Sequence, residues 1–265
     1  MNHIATGLSS RELALLSEWE MDGVTRVRPC DLAERLGEPA VARKTLARLA
    51  AKRALDRVAK GVYAVRPLRA VGQPWAWSSA ASVAHAMAGQ TYYVGGAVAL
   101  TLHRLTTQVN HAVVDVFVPA QRDDRSIDGV RVRFHTAAWK DAFAFGVTTV
   151  EVDGVPVAVS DPERTLLDVL DRPELVGGAA AAVDAFRTGI ARVDAAHLAE
   201  HAARWGRISL RQRAGYLLEQ AGVPPAILAP LAAATAPTNT VPLPKASRRP
   251  RGRAHPVWRV VDPGA

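Results

Sequence analysis

A chain of 265 residues, 49% apolar and 22% charged, has enough hydrophobic material for one large or two modest cored domains, which makes it globular and excludes a wholly disordered protein. A single cysteine, Cys30, excludes an internal disulfide, and no apolar run is long enough to cross a bilayer. The formal net charge of +8 is uneven: residues 1–70 hold thirteen Lys/Arg against eight Asp/Glu, residues 245–265 hold six against one, and the stretch between carries two excess acids. Two local basic blocks, the first on a helix-and-hairpin pattern, point to a polyanion surface. The opening residues place no basic segment ahead of an apolar run, so no signal peptide and a cytoplasmic location are expected.

Ser9 and Glu12 have capping-box spacing, and Leu13, Leu16 and Trp19 continue a helix. Val24–Arg28 alternates as a short strand. Pro29 opens a second helix, Cys30–Leu36, with Cys30 as a small core residue, and Gly37 stops it. Pro39 opens a third, from about Ala40 to Arg53, with Val41, Leu46 and Leu49 expected as its buried stripe. Lys44, Arg48 and Lys52 recur at i, i+4 and i+8 on the opposite face, and no acid lies between Arg43 and Arg53 to pair with them along the helix. Leu55–Val58 and Val62–Val65 read as a hairpin turning at Ala59-Lys60-Gly61.

Helix, strand, helix, basic helix, hairpin is the order of a winged helix-turn-helix, whose third helix enters the major groove of DNA while the wing meets phosphate. Lys44, Arg48 and Lys52 are then assigned to the groove or its walls, Arg43 and Thr45 to base edges, and Arg57 and Lys60 to backbone. Six phosphate contacts predict a slope of about −5 for log affinity against log salt.

Arg66-Pro67 and Gly72-Gln73-Pro74 put a boundary near 67–74, giving domains 1–70 and 75–265. A helix over Ser78–Ala88 carries His85, expected as a hydrogen-bonded structural histidine. Tyr92–Val94 turns through Gly95-Gly96 into a helix. Strands follow at Val113–Val118, Gly129–His135, Val147–Val152 and Val155–Val159, then helices from Asp161-Pro162 and over about 177–188, 194–205 and 209–221. Strands followed by helices predict an α+β fold: a winged helix-turn-helix, then a mixed α/β domain with a C-terminal helical block.

A glycine pair, Gly95-Gly96, followed by Asp115 on a strand resembles the layout of nucleotidyltransferases, in which two carboxylates on one strand face hold metal ions. Here the second position is Phe117, which cannot coordinate Mg²⁺. His103, His111 and His135 lack zinc-site spacing. Neither a catalytic residue nor a metal or cofactor is assigned. Arg164 and Asp168 have the spacing to pair along their helix. In the C-terminal block, Arg248, Arg249, Arg251 and Arg253 are candidate nucleic-acid or toxin contacts; the block reads either as a mobile basic tail or as a segment folded back on the core, the second favoured because Trp258–Val261 looks like a strand that buries its aromatic.

These pieces together resemble the AbiEi family of antitoxins from type IV toxin–antitoxin systems. The resemblance rests on the N-terminal helices, the hairpin Arg57–Ala64, the segments Tyr93–Ala97 and Leu102–Gln108, the run Asp161–Asp168, and the final Arg-Gly-Arg…Trp258 segment. It implies a non-enzymatic, DNA-binding antitoxin that represses its own operon at repeats in the promoter and counteracts a nucleotidyltransferase-like toxin. Three alternatives stay open: a solitary transcriptional regulator without a toxin, a metal-dependent nucleic-acid enzyme using Asp115 with His103 or His135, and a protein-interaction module whose basic ends meet an acidic toxin.

Overall fold

The computed structural model describes residues 7–108, 113–137, 141–236, 239–243 and 252–262. The chain divides into two compact units, Met1–Gln90 with Glu151–Val157, and Thr91–Val150 with Ala158–Ala265.

In the first unit, α1 (Ser10–Met21) begins with a complete capping box: Ser9 N donates to Glu12 Oε2 at 2.7 Å and Glu12 N donates to Ser9 Oγ at 3.3 Å. After β1 (Arg26–Val27), α2 (Pro29–Leu36) ends at Gly37, whose φ of +77° suits glycine at a helix stop. Then come α3 (Pro39–Ala51) and the hairpin β2 (Leu55–Ala59) and β3 (Val62–Val65), with strand order β1-β3-β2, all antiparallel. This is the succession of elements read from the sequence. Leu16, Trp19, Val27, Leu32, Leu46, Leu49 and Leu55 share the core.

The structure departs from the sequence expectation at Val41 and Cys30. The inward stripe of α3 is Ala42, Leu46 and Leu49, while Val41 is 43% exposed, because it sits one residue, about 100° around the helix, off that stripe. Cys30 is exposed, because α2 turns Leu32 inward instead.

Helix α4 (Ser79–Ala86) also lies in this unit, beyond residue 75, where the sequence begins the second domain. His85 is buried on it, its ring 4.7 Å from that of Trp77. Trp77 Nε1 donates to Asp56, which also accepts two bonds from Arg66, at 2.7 and 2.5 Å.

The second unit holds β4 (Tyr93–Gly95), α5 (Gly96–Leu102), β5 (Val113–Val118), β6 (Arg125–Ile127) and β7 (Val130–Thr136), and the outer parts of β8 (Val147–Val152) and β9 (Val155–Ser160), whose Glu151–Val157 stretch belongs to the first unit. The sheet order is β6-β7-β5-β4-β9-β8, with β5–β7 and β4–β9 parallel and β4–β5 and β6–β7 antiparallel. The fold is α+β, as the strand block followed by a helix block predicts. The helices are α6 (Pro162–Asp171), α7 (Ala179–Ile190), α8 (Ala195–Arg204), α9 (Ile208–Gln220) and α10 (Pro225–Thr235). The sequence reading contains no helix over α10; Pro225 opens it at a position that needs no N–H donor.

Asp161 caps α6 by accepting from Arg164 N at 2.7 Å, as its position before Pro162 predicts. The last elements, β10 (Val241–Pro242) and β11 (Val260–Val261), pair in parallel, and Trp258 is 1% exposed in a core with Tyr93, Phe117, Leu166, Phe186 and Leu217. The aromatic read as folding back is therefore a core residue.

Candidate nucleic-acid interface

α3 owes its shape to a proline at N1 and to an inward row spaced 42, 46, 49, which leaves Arg43, Lys44 and Arg48 on the solvent side and Thr45 half-buried. The hairpin beyond it turns at Gly61, with φ of +71°, and carries a register shift between Arg57 and Ala59. Arg57 and Lys60 are exposed. Among the described residues, none pairs with Arg43, Lys44, Arg57 or Lys60, so four cations of this unit are open to an anionic partner.

Arg48 and Lys52 differ. Glu12, on α1 and 3% exposed, accepts from Arg48 Nε through Oε1 at 2.7 Å and from Lys52 Nζ through Oε2 at 2.7 Å. Lys52 Nζ also donates to Gly7 O at 2.6 Å. The helix has no acid of its own, as its sequence says; the neutralising carboxylate comes from 36 and 40 positions earlier in the chain.

The Lys52 ammonium, then the Ser9 N–H and Arg48, hold the Glu12 carboxyl well below its ordinary 4.5, at about 2. Its contribution to stability is therefore complete above pH 4.5 and is lost as pH falls through about 2. Acid titration of the folded unit should show this loss, and Glu12→Gln should flatten it.

The sequence motifs of the second unit serve its interior. Gly95 and Asp115 are register neighbours on β4 and β5, and a side chain at Gly96, whose φ is +60°, would lie 3.0 Å from Asp115 Oδ2. Both Asp115 oxygens are engaged: Oδ1 accepts from Arg133 Nε at 2.8 Å and lies 2.7 Å from His135 Nε2, and Oδ2 accepts from Arg133 Nη2 at 3.0 Å. His103 Nε2 lies 2.6 Å from the Ser160 carbonyl, and His111 falls outside the described residues. A cavity of about 550 Å³ opens beside Asp115 and Arg133, walled by Leu100, Leu105 and Leu175 and rimmed by Glu174 and Asp184.

Arg164 is wholly buried. Its Nη1 donates to the Ala142 and Phe145 carbonyls at 2.5 and 2.7 Å, its Nη2 donates to Tyr93 Oη at 2.8 Å, and its Nε lies 3.7 Å from Asp168 Oδ2. The pair anticipated from i, i+4 spacing thus exists, as a core element. Of the C-terminal arginines, Arg253 is exposed, while Arg248, Arg249 and Arg251 lie outside the described residues. Sequence reasoning found Glu12 as a cap and missed it as the partner of Arg48 and Lys52; no local signal marks a pairing across three helices.

Residues 93–220 match the family described as the AbiEi antitoxin C-terminal domain. The chain shares its fold with the crystal structure of the RV2827C protein from Mycobacterium tuberculosis, at a TM-score of 0.61 and 18% identity, over 97% of this chain and 92% of that one. No curated protein matches. No helix among the described residues is long and apolar enough to cross a membrane.

Proposed function

Because residues 93–220 belong to the AbiEi antitoxin C-terminal domain family, we propose that this chain is a cytoplasmic, non-catalytic antitoxin whose first unit is a winged helix-turn-helix that binds double-stranded DNA at its own promoter and represses it. The second unit then serves in counteracting a nucleotidyltransferase-like toxin.

The observation that carries the DNA reading is the set of exposed, unpaired cations on α3 and on the hairpin of one unit: Arg43, Lys44, Arg57 and Lys60. A helix that offers cations to a groove beside a hairpin that offers them to phosphate is how a winged helix-turn-helix holds a duplex. The non-catalytic reading is supported at Asp115 by its pairing, since Arg133 bonds both its oxygens and His135 Nε2 lies 2.7 Å from Oδ1.

The test is fluorescence anisotropy on the duplex upstream of the chain's own gene. The double variant Arg43→Ala/Lys44→Ala is expected to bind roughly 10- to 100-fold more weakly, with a log-log salt slope shallower by about 2. Unchanged affinity and slope in that variant, or no binding by the wild type, would refute the assignment.

A further inference from the structure

Glu12 places one carboxylate between the two cations that a sequence reading would send to DNA. Oε1 takes Arg48 and Oε2 takes Lys52, each at 2.7 Å, and Oε2 also holds the Ser9 N–H at 2.7 Å. The carboxylate is almost fully buried, whereas the Arg48 side chain is 57% exposed and that of Lys52 26%.

A phosphate approaching Arg48 must come close to this carboxylate, and the three groups together present one net positive charge rather than two. Repulsion from a fixed anion only a few ångströms away offsets much of what the guanidinium would gain. The bonds also tie α3 to the first turn of α1 at two points one helical turn apart, which fixes the angle at which Arg43 and Lys44 are presented.

We propose that Glu12 is a specificity-determining positioning residue of the DNA surface: it withholds Arg48 and Lys52 from the phosphate backbone and clamps α3 for base reading. The inference rests on the reading of this unit as DNA-binding. Its physical content is a trade. Sequence-independent affinity is kept low because two cations are sequestered, and discrimination is kept high because the helix is held still. Phosphate-only contacts raise affinity for every duplex alike and leave the ratio of operator to random DNA unchanged, so the discrimination comes from the clamp, which holds α3 at the angle that its base contacts need.

The experiment compares salt-dependent binding of the full chain to the promoter duplex and to a random-sequence duplex. With only the four unpaired cations engaged, the wild-type slope is expected near −3.6 instead of the −5 that six contacts give. Glu12→Gln keeps the shape and removes the charge. It is expected to bind random duplex more tightly, to steepen the slope by about 1 to 2, and to reduce the promoter-to-random ratio by about 10-fold or more.

A Glu12→Gln protein that folds by circular dichroism yet keeps the wild-type slope and ratio overturns the proposal. So does a wild-type slope at or beyond the roughly −5 of six phosphate contacts, which stands even if the Glu12 variant fails to fold. Absence of wild-type binding to either duplex would instead overturn the DNA-binding reading itself.

Discussion

Arg164→Leu is expected to destabilise the second unit by about 3–5 kcal/mol, measured by urea unfolding. The side chain is fully buried and satisfies two backbone carbonyls, those of Ala142 and Phe145, and the Tyr93 hydroxyl. Removing it leaves these acceptors in a dry interior and leaves Asp168 without its nearest cation. Gly146 sits so close that a side chain there would lie 2.8 Å from Arg164 Cδ, so the guanidinium stem is also part of the packing.

Burial pushes the Asp168 carboxyl up from 3.8 to about 6 against the pull of Arg164. A carboxyl raised in the folded state penalises folding above its folded value, and the penalty fades as pH falls from about 6 towards 3.8. Asp168 therefore favours the second unit on mild acidification, and the gain should be larger in Arg164→Leu. Glu12 acts with the opposite sign in the first unit, at lower pH.

The second large effect is expected at Trp258. Its ring lies against Gly215 of α9, where an added Cβ would meet the ring at 2.2 Å, and its Nε1 donates to Glu219. Trp258→Ala should cost about 3–5 kcal/mol by emptying that space. Gly215→Ala should cost about 1–3 kcal/mol or more by overfilling it. The double variant Gly215→Ala/Trp258→Ala should be clearly more stable than the sum of the two losses predicts, because the methyl then enters the space the indole leaves. Simple additivity in thermal or urea unfolding would show that the two sites are independent.

Much of the architecture is legible where the signal is local. The capping box at Ser9, Pro29 and Pro39 at helix starts, Gly61 at the hairpin turn and Asp161 ahead of Pro162 each fix an element through bonds within a few residues. What escapes the sequence is pairing across elements. Charge spacing on α3 shows that Arg48 and Lys52 share a face, but which acid faces them depends on how α1 packs. On β7, Arg133 and His135 look like a solvent-facing alternation; parallel pairing with β5 turns them onto Asp115 instead. The i, i+4 spacing of Arg164 and Asp168 is common on exposed helices, and only the surrounding Tyr93, Phe145 and Trp205 make it a core pair. Val41 shows the same limit in miniature, since one residue of phase separates a core position from a surface one.

The late position of Trp258 and β11 in the chain imposes an order in time. The first unit has all its residues once Val157 has been made, whereas the second lacks its central indole and its closing strand for about 100 residues more. At synthesis rates of about 5–20 residues per second, that interval lasts roughly 5–20 s. During it the ribosome carries a finished N-terminal unit attached to a half-built neighbour with an open hydrophobic interior, so the nascent second unit is where chaperone engagement or misassembly concentrates.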